Sequence, residues 1–140
     1  MKRPGPSTAD RFVGSLGAGV HRAPAGLAVW SIRAATETSG LATFVVDLEG
    51  AGGKAGILDA FATGLDFPAW VGRNWDALDD AMGDLSWLPA GAHGRAVLIR
   101  GSDLPSAGAR HDLDVLQDVL DAAVDGWAGT DTPLVVVHVA

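Results

Sequence analysis

At 140 residues, 48% hydrophobic and 19% charged, the chain can build one hydrophobic core and is too apolar for a disordered protein. It holds no Cys, which excludes disulfides, thiolate metal sites and a Cys nucleophile. The net charge of −7 is uneven: residues 1–40 carry five basic and two acidic side chains (+3), residues 41–140 five basic and fifteen acidic (−10). A body that acidic repels nucleic acid and anionic membranes and complements a basic protein.

No apolar run approaches the roughly 20 residues of a membrane span. Lys2 and Arg3 precede Phe12–Val20 as a signal peptide would have it. Pro4 and Pro6 intervene, however, and the apolar stretch is diluted by Gly and Ser, which argues against export. The absence of Cys is compatible with a reducing cytosol, and a cytoplasmic protein is expected. Residues 1–40 read as an N-terminal extension rich in Gly, Pro, Ala and Ser. Only Leu27-Ala28-Val29-Trp30-Ser31-Ile32 resembles a strand, with imperfect alternation, as an added edge element or an appendage.

Residues 41–140 read as the domain proper. Leu41–Leu48 is a nearly unbroken apolar run with β-branched residues, suited to a strand covered on both faces. After a glycine turn, Ile57, Leu58, Phe61 and Leu65 recur at helical spacing through residues 54–65. The turn Gly50–Ala55 resembles a phosphate loop but fails the motif. Its first Gly would fall on Leu48 and its Ser/Thr on Ala55.

The most informative stretch follows, Phe67-Pro68-Ala69-Trp70-Val71-Gly72-Arg73-Asn74-Trp75-Asp76-Ala77-Leu78-Asp79-Asp80-Ala81-Met82-Gly83-Asp84. A loop with proline, aromatic and glycine runs into an amphipathic helix, with Trp75, Leu78 and Met82 as its buried stripe. Asp76, Asp79 and Asp80 share another face and repel one another by a few tenths of a kcal/mol per pair. The positive end of the helix dipole offsets part of this for Asp76 and Asp79, expected in the first turn. Such a cluster is either a solvated face or a surface for something cationic.

Ala96–Arg100 forms a second apolar run, ended by Gly101 and Pro105. Leu113, Leu116, Val119, Leu120 and Ala123 mark a third helix, with Asp112 as its N-cap and Gly126 and Gly129 as its end. Pro133–Val139 is the most strand-like run of all. The order strand, helices, strand, helix, strand predicts an α/β fold, a small three-stranded parallel sheet with packed helices.

Chemistry is sparse. His21, His93, His111 and His138 lack metal-ligand spacing, and no G-x-S-x-G elbow is present. Catalytic carboxylate pairs flank a cleft from separate elements, whereas these three Asp project from one helix. Neither an enzyme, a metal nor a cofactor is expected. An interface has better support, because Trp70 and Val71 precede the acidic face and Trp87 follows it. The alternative is that the tryptophans belong to the core; Trp75 is assigned there, and Trp70 is open to both.

Residues 68–80 resemble the barstar family, intracellular inhibitors of secreted microbial ribonucleases. Family members carry an aromatic pair, then Gly-x-Asn-x-Asp-Ala-Leu-x-Asp. Gly72, Asn74, Asp76, Ala77, Leu78 and Asp80 match it in order and spacing. The order of elements over residues 41–140 and Val115-Leu116-Gln117 in the last helix are similar too. The resemblance implies a bacterial immunity protein, monomeric when free, that blocks a basic ribonuclease of the barnase kind.

Asp80 would then replace an RNA phosphate among the nuclease's basic side chains, and Asp76 would pair with a further basic group. Trp70 would stack on the partner, Val71 would add contact area, and Gly72 and Asn74 would shape the loop. Departures are present as well. Val71 replaces an aromatic, Asp79 stands where the best-known members carry Trp, and only Asp112 offers itself for a glutamate that the family supplies before its last helix. The alternative reading is a binding or immunity module for a non-ribonuclease toxin domain or another basic protein.

Overall fold

The computed structural model describes residues 6–102 and 107–140. Lys2, Arg3 and Pro4, on which the export reading turned, and the terminating Pro105 lie outside the described residues. The chain runs α1 (Thr8–Gly14), β1 (Gly19–Arg22), α2 (Val29–Thr38), β2 (Ala42–Asp47), α3 (Lys54–Gly64), α4 (Trp75–Asp84), β3 (Arg95–Arg100), α5 (Ala107–Trp127) and β4 (Leu134–Val139).

The sheet has four strands in the order β1-β4-β3-β2, where three were expected. All pairings are parallel. The three expected strands are present, and the additional one is Gly19-Val20-His21-Arg22, which pairs with β4 from Gly19↔Val135 to Arg22↔His138. Four residues beginning with glycine leave almost no periodic signal. Pairing with β4, extended by the Ala23 N–H donating to His138 O (2.8 Å), makes this stretch a strand.

A second correction concerns Leu27–Ile32. Helix α2 begins at Val29, within that stretch. Its buried residues Ile32, Ala35 and Thr36 fall at i, i+3 and i+4, a helical stripe whose second half lies beyond the segment that looked strand-like. Thr36 closes the helix against β2, its hydroxyl 2.7 Å from that of Thr43.

Alternation along β3 and β4 builds two apolar layers. On one face Val97, Ile99, Leu134 and Val136 meet Ile57, Leu58 and Phe61 of α3, Leu78 and Met82 of α4, and Leu116 and Leu120 of α5. On the other, Leu98, Val135, Val137 and Val139 meet Ala9 and Val13 of α1 and Ile32 and Ala35 of α2. Helices α1 and α2 therefore cover this second face of the sheet. Covering on both faces explains why these strands read as unbroken apolar runs.

A third correction concerns Asp112. Helix α5 starts five residues earlier, at Ala107, so Asp112 does not cap it. Its Oδ2 instead accepts from the Lys54 N–H at the start of α3 (3.0 Å). Gly53, the N-cap of α3, has no side chain to cap the helix, and Asp112 satisfies one of the free first-turn N–H groups from across the fold.

Candidate protein-binding site

The site begins where α3 stops. Asp66 takes a left-handed backbone (φ 49°), and the Phe67 N–H donates back to Ala62 O (2.9 Å). Pro68 O accepts from the Val71 N–H (3.0 Å), which folds residues 68–71 into a tight turn. Val71 is 7% exposed and pins the turn to the body, while its neighbour Trp70 is 70% exposed. Trp87 supports this arrangement from below. Its indole N–H donates to Leu65 O (2.9 Å), and its ring meets Phe67 and Trp70 edge to face at 5.6 and 5.9 Å.

Helix α4 follows at once. Asn74 is its N-cap, with Oδ1 accepting from the Ala77 N–H at 2.7 Å. A Cβ at Gly72 would lie 3.3 Å from Asn74 Nδ2 and 3.5 Å from Ala77 Cβ, tight against the cap. Arg73 reaches back to α3, donating from Nε to Asp59 Oδ1 (3.2 Å). Leu78, Ala81 and Met82 are buried, and Trp75 is half-buried against the same core.

The other end of α4 is also fixed. Leu85, at φ 49°, is a left-handed C-cap. Arg95, only 7% exposed, donates from Nη2 to Leu85 O (3.3 Å) and Leu88 O (2.9 Å). Its guanidinium lies 5.3 Å from the centre of the Trp127 ring, and Trp127 donates its indole N–H to Met82 O (2.8 Å). Burial lowers the pKa of Arg95 from its ordinary value.

Asp76, Asp79, Asp80 and Asp84 are exposed. Among the described residues none of them has an ion pair or a side-chain hydrogen bond; the ion pairs present are Arg33–Glu37, Arg73–Asp59, Arg100–Asp47 and Arg100–Glu49. Their mutual repulsion is thus met by no basic side chain among the described residues.

The expected residues divide into groups. Trp70, Val71, Gly72 and Asp80 line one shallow concavity of about 350 Å³, together with Ala77, Ala81 and Asp84. Asp79 and Asp80 line a separate groove of about 540 Å³ between α4 and α5, with Gly83, Asp84 and Trp127. Asp76 stands on the helix's first turn and lines neither, Asn74 acts as the cap, and Trp87 lies beneath Trp70. Asp84 was not singled out from the sequence, although its spacing four residues after Asp80 and eight after Asp76 repeats the acidic row. Gathered here are an exposed aromatic, an apolar floor and unpaired carboxylates on a helix fixed at both ends.

No helix among the described residues is long and apolar enough to cross a membrane. No curated protein matches the chain. The sequence model of the family described as Barstar (barnase inhibitor) matches residues 41–139, from the residue before β2 to the end of β4. That span contains the whole of the site. The chain therefore belongs to the barstar family.

Proposed function

We propose that this protein inhibits a basic microbial ribonuclease by placing the acidic face of α4 in its active site, where carboxylates stand in for RNA phosphate. One observation carries the reading: among the described residues Asp76 and Asp80 have no cationic partner, yet they stand on a capped helix beside Trp70, which is 70% exposed. A solvated acidic face has no need of that aromatic. Anchor and charge together are what a protein interface uses to exclude water and to pair with desolvated basic groups. The contact set is Trp70, Val71, Gly72, Asn74, Asp76, Asp79 and Asp80, with Trp87 as support.

Residues 41–140 are the binding domain, and residues 1–40 an addition, from which β1 extends the sheet and α1 and α2 pack on the face away from α4. The protein acts as a cytoplasmic immunity protein for a nuclease that is exported, is monomeric when free, and has no catalytic role of its own. The test is RNA cleavage by a barnase-type ribonuclease with increasing amounts of the protein. Cleavage should stop near equimolar protein; unchanged cleavage by such nucleases, including one encoded beside this gene, would contradict the proposal.

A second reading rests on Asp79. The best-known members carry Trp there, and here a carboxylate faces the α4–α5 groove instead. That change suits a basic toxin domain of another chemistry. Capture of the natural partner separates the two, since a non-nuclease partner would support the second.

A further inference from the structure

A cavity of about 350 Å³ joins the two parts of the chain at the carboxyl end of the sheet. Arg22 of β1, His138 of β4 and Ser102 after β3 stand on one side of it, and Asp114 and Gln117 of α5 on the other. The chain leaves β1 for α2 on one face of the sheet, while β3 is followed by α5 on the opposite face, and these two strands are separated by β4 alone. Helices that diverge in this way open a crevice beyond the strand ends, the usual place for a ligand in a parallel α/β sheet. Gln117 lies ten residues before Trp127 on α5, so the cavity is about 15 Å along that helix from the groove beside α4.

Strand register decides which groups face the cavity. Arg22 pairs with His138, and alternation puts both on the face that Leu134 and Val136 turn toward α5. The Ser102 hydroxyl lies 3.2 Å from His138 Nδ1 and ties the end of β3 to β4. Arg22 and His138 are also engaged by other groups of the protein, which holds them in place. Asp114 is exposed on α5 and, among the described residues, has no ion pair or side-chain hydrogen bond. It thus lines the same cavity as Arg22 without pairing with it. Val20, Leu113 and Leu116 supply the apolar part of the lining.

A basic and an acidic group that share a cavity without touching select an occupant that carries both charges. We infer that this cavity binds a free α-amino acid with an apolar side chain, its carboxylate on the Arg22 guanidinium, its ammonium on Asp114 and its side chain over Val20, Leu113 and Leu116. The Ser102 hydroxyl and the Gln117 carboxamide can complete its hydrogen bonds. A bare anion would meet Asp114 and a bare cation Arg22, whereas a zwitterion satisfies both and adds no net charge to a chain already at −7. The volume lies at the small end of ligand pockets, which run from about 300 to 1,000 Å³. Val20 and Arg22 precede residue 41, where the family match begins, so the cavity belongs to this chain's extension and not to the family domain alone. The inference does not depend on the proposed inhibition of a ribonuclease.

The test titrates the full chain with L-leucine and follows NMR signals of the Gln117 side-chain amide and the Ser102 backbone amide. Two analogues serve as comparisons, isocaproate without the ammonium and L-leucinamide without the carboxylate. L-leucine at millimolar concentration should move both signals saturably, and each analogue should bind more weakly. Arg22→Gln and Asp114→Asn should each weaken L-leucine binding about three- to fivefold. Asp131→Asn, outside the cavity, should leave it unchanged. Should Arg22→Gln lower the melting temperature, Asp114→Asn still reads the ammonium contact, because that position is exposed. No saturable response to L-leucine, an analogue that binds as tightly as L-leucine, or an Asp114→Asn chain that binds it as the original does would each overturn the inference.

Discussion

Asp80 stands where the two depressions beside α4 meet, lining both the concavity under Trp70 and the groove toward α5. It is exposed and has no ion pair among the described residues, so its side chain contributes little to the fold, and its place in an interface would be central. Asp80→Ala should therefore leave thermal unfolding within about 0.5 kcal/mol of the original. Binding of the partner should weaken by at least about 2 kcal/mol, the threshold of a hot spot, a class for which this family is itself a reference case.

Arg95 makes the opposite prediction. It ties the carbonyls of Leu85 and Leu88 to Trp127 from a buried position. Arg95→Ala should destabilise the protein by about 2–4 kcal/mol in urea unfolding, through two unpaired carbonyls and a lost cation–π contact. Single residues of both kinds differ in legibility. The acidic row was visible as spacing in the sequence, and Asp80 with it. Arg95 was not, because a lone Arg at the start of a strand gives no sign that it will be buried under a distant tryptophan.

At the scale of elements, α4 is placed by its ends more than by its length. Asn74 opens it, Leu85 and Arg95 close it, and Leu78, Ala81 and Met82 seat it on the core. Asn74→Ala should cost about 1 kcal/mol of stability and fray the turn that carries Asp76. Hydrogen exchange at the Ala77 and Leu78 amides would report it, and unchanged protection would contradict the role of the cap.

Long elements with a strong period were readable: α3, α4, the body of α5, and the three strands β2, β3 and β4. Elements placed by tertiary pairing were not. β1 exists because β4 offers an edge, and α2 shows its stripe only when Ala35 and Thr36 are counted with Ile32. The role of Asp112 failed for the same reason, since its acceptor oxygen serves Lys54, 58 residues earlier in the chain. Local capping rules assume a local partner.

For the whole molecule, residues 6–40 are more than a tail. They cover Leu98, Val135, Val137 and Val139, each of which contributes about 1.5–3 kcal/mol when fully buried. A chain starting at residue 41 should lose much of its stability or self-associate through the bared face. Sedimentation and thermal unfolding would show this; a monomer with unchanged melting would contradict it. The charge split belongs to this scale as well. A body of −10 would attract a basic partner before contact, so the rate of association with the proposed nuclease should fall as salt rises, while dissociation changes less.

The central claim is that α4 inhibits by presenting Asp80 to a basic active site. Its most direct measurement is the dissociation constant for a barnase-type ribonuclease, taken for the original chain and for Asp80→Ala under the same salt. The account predicts tight, inhibitory binding by the first and a loss of at least about thirtyfold by the second, with both proteins equally folded. Equal affinity of the two chains, or no binding by the original, would contradict it.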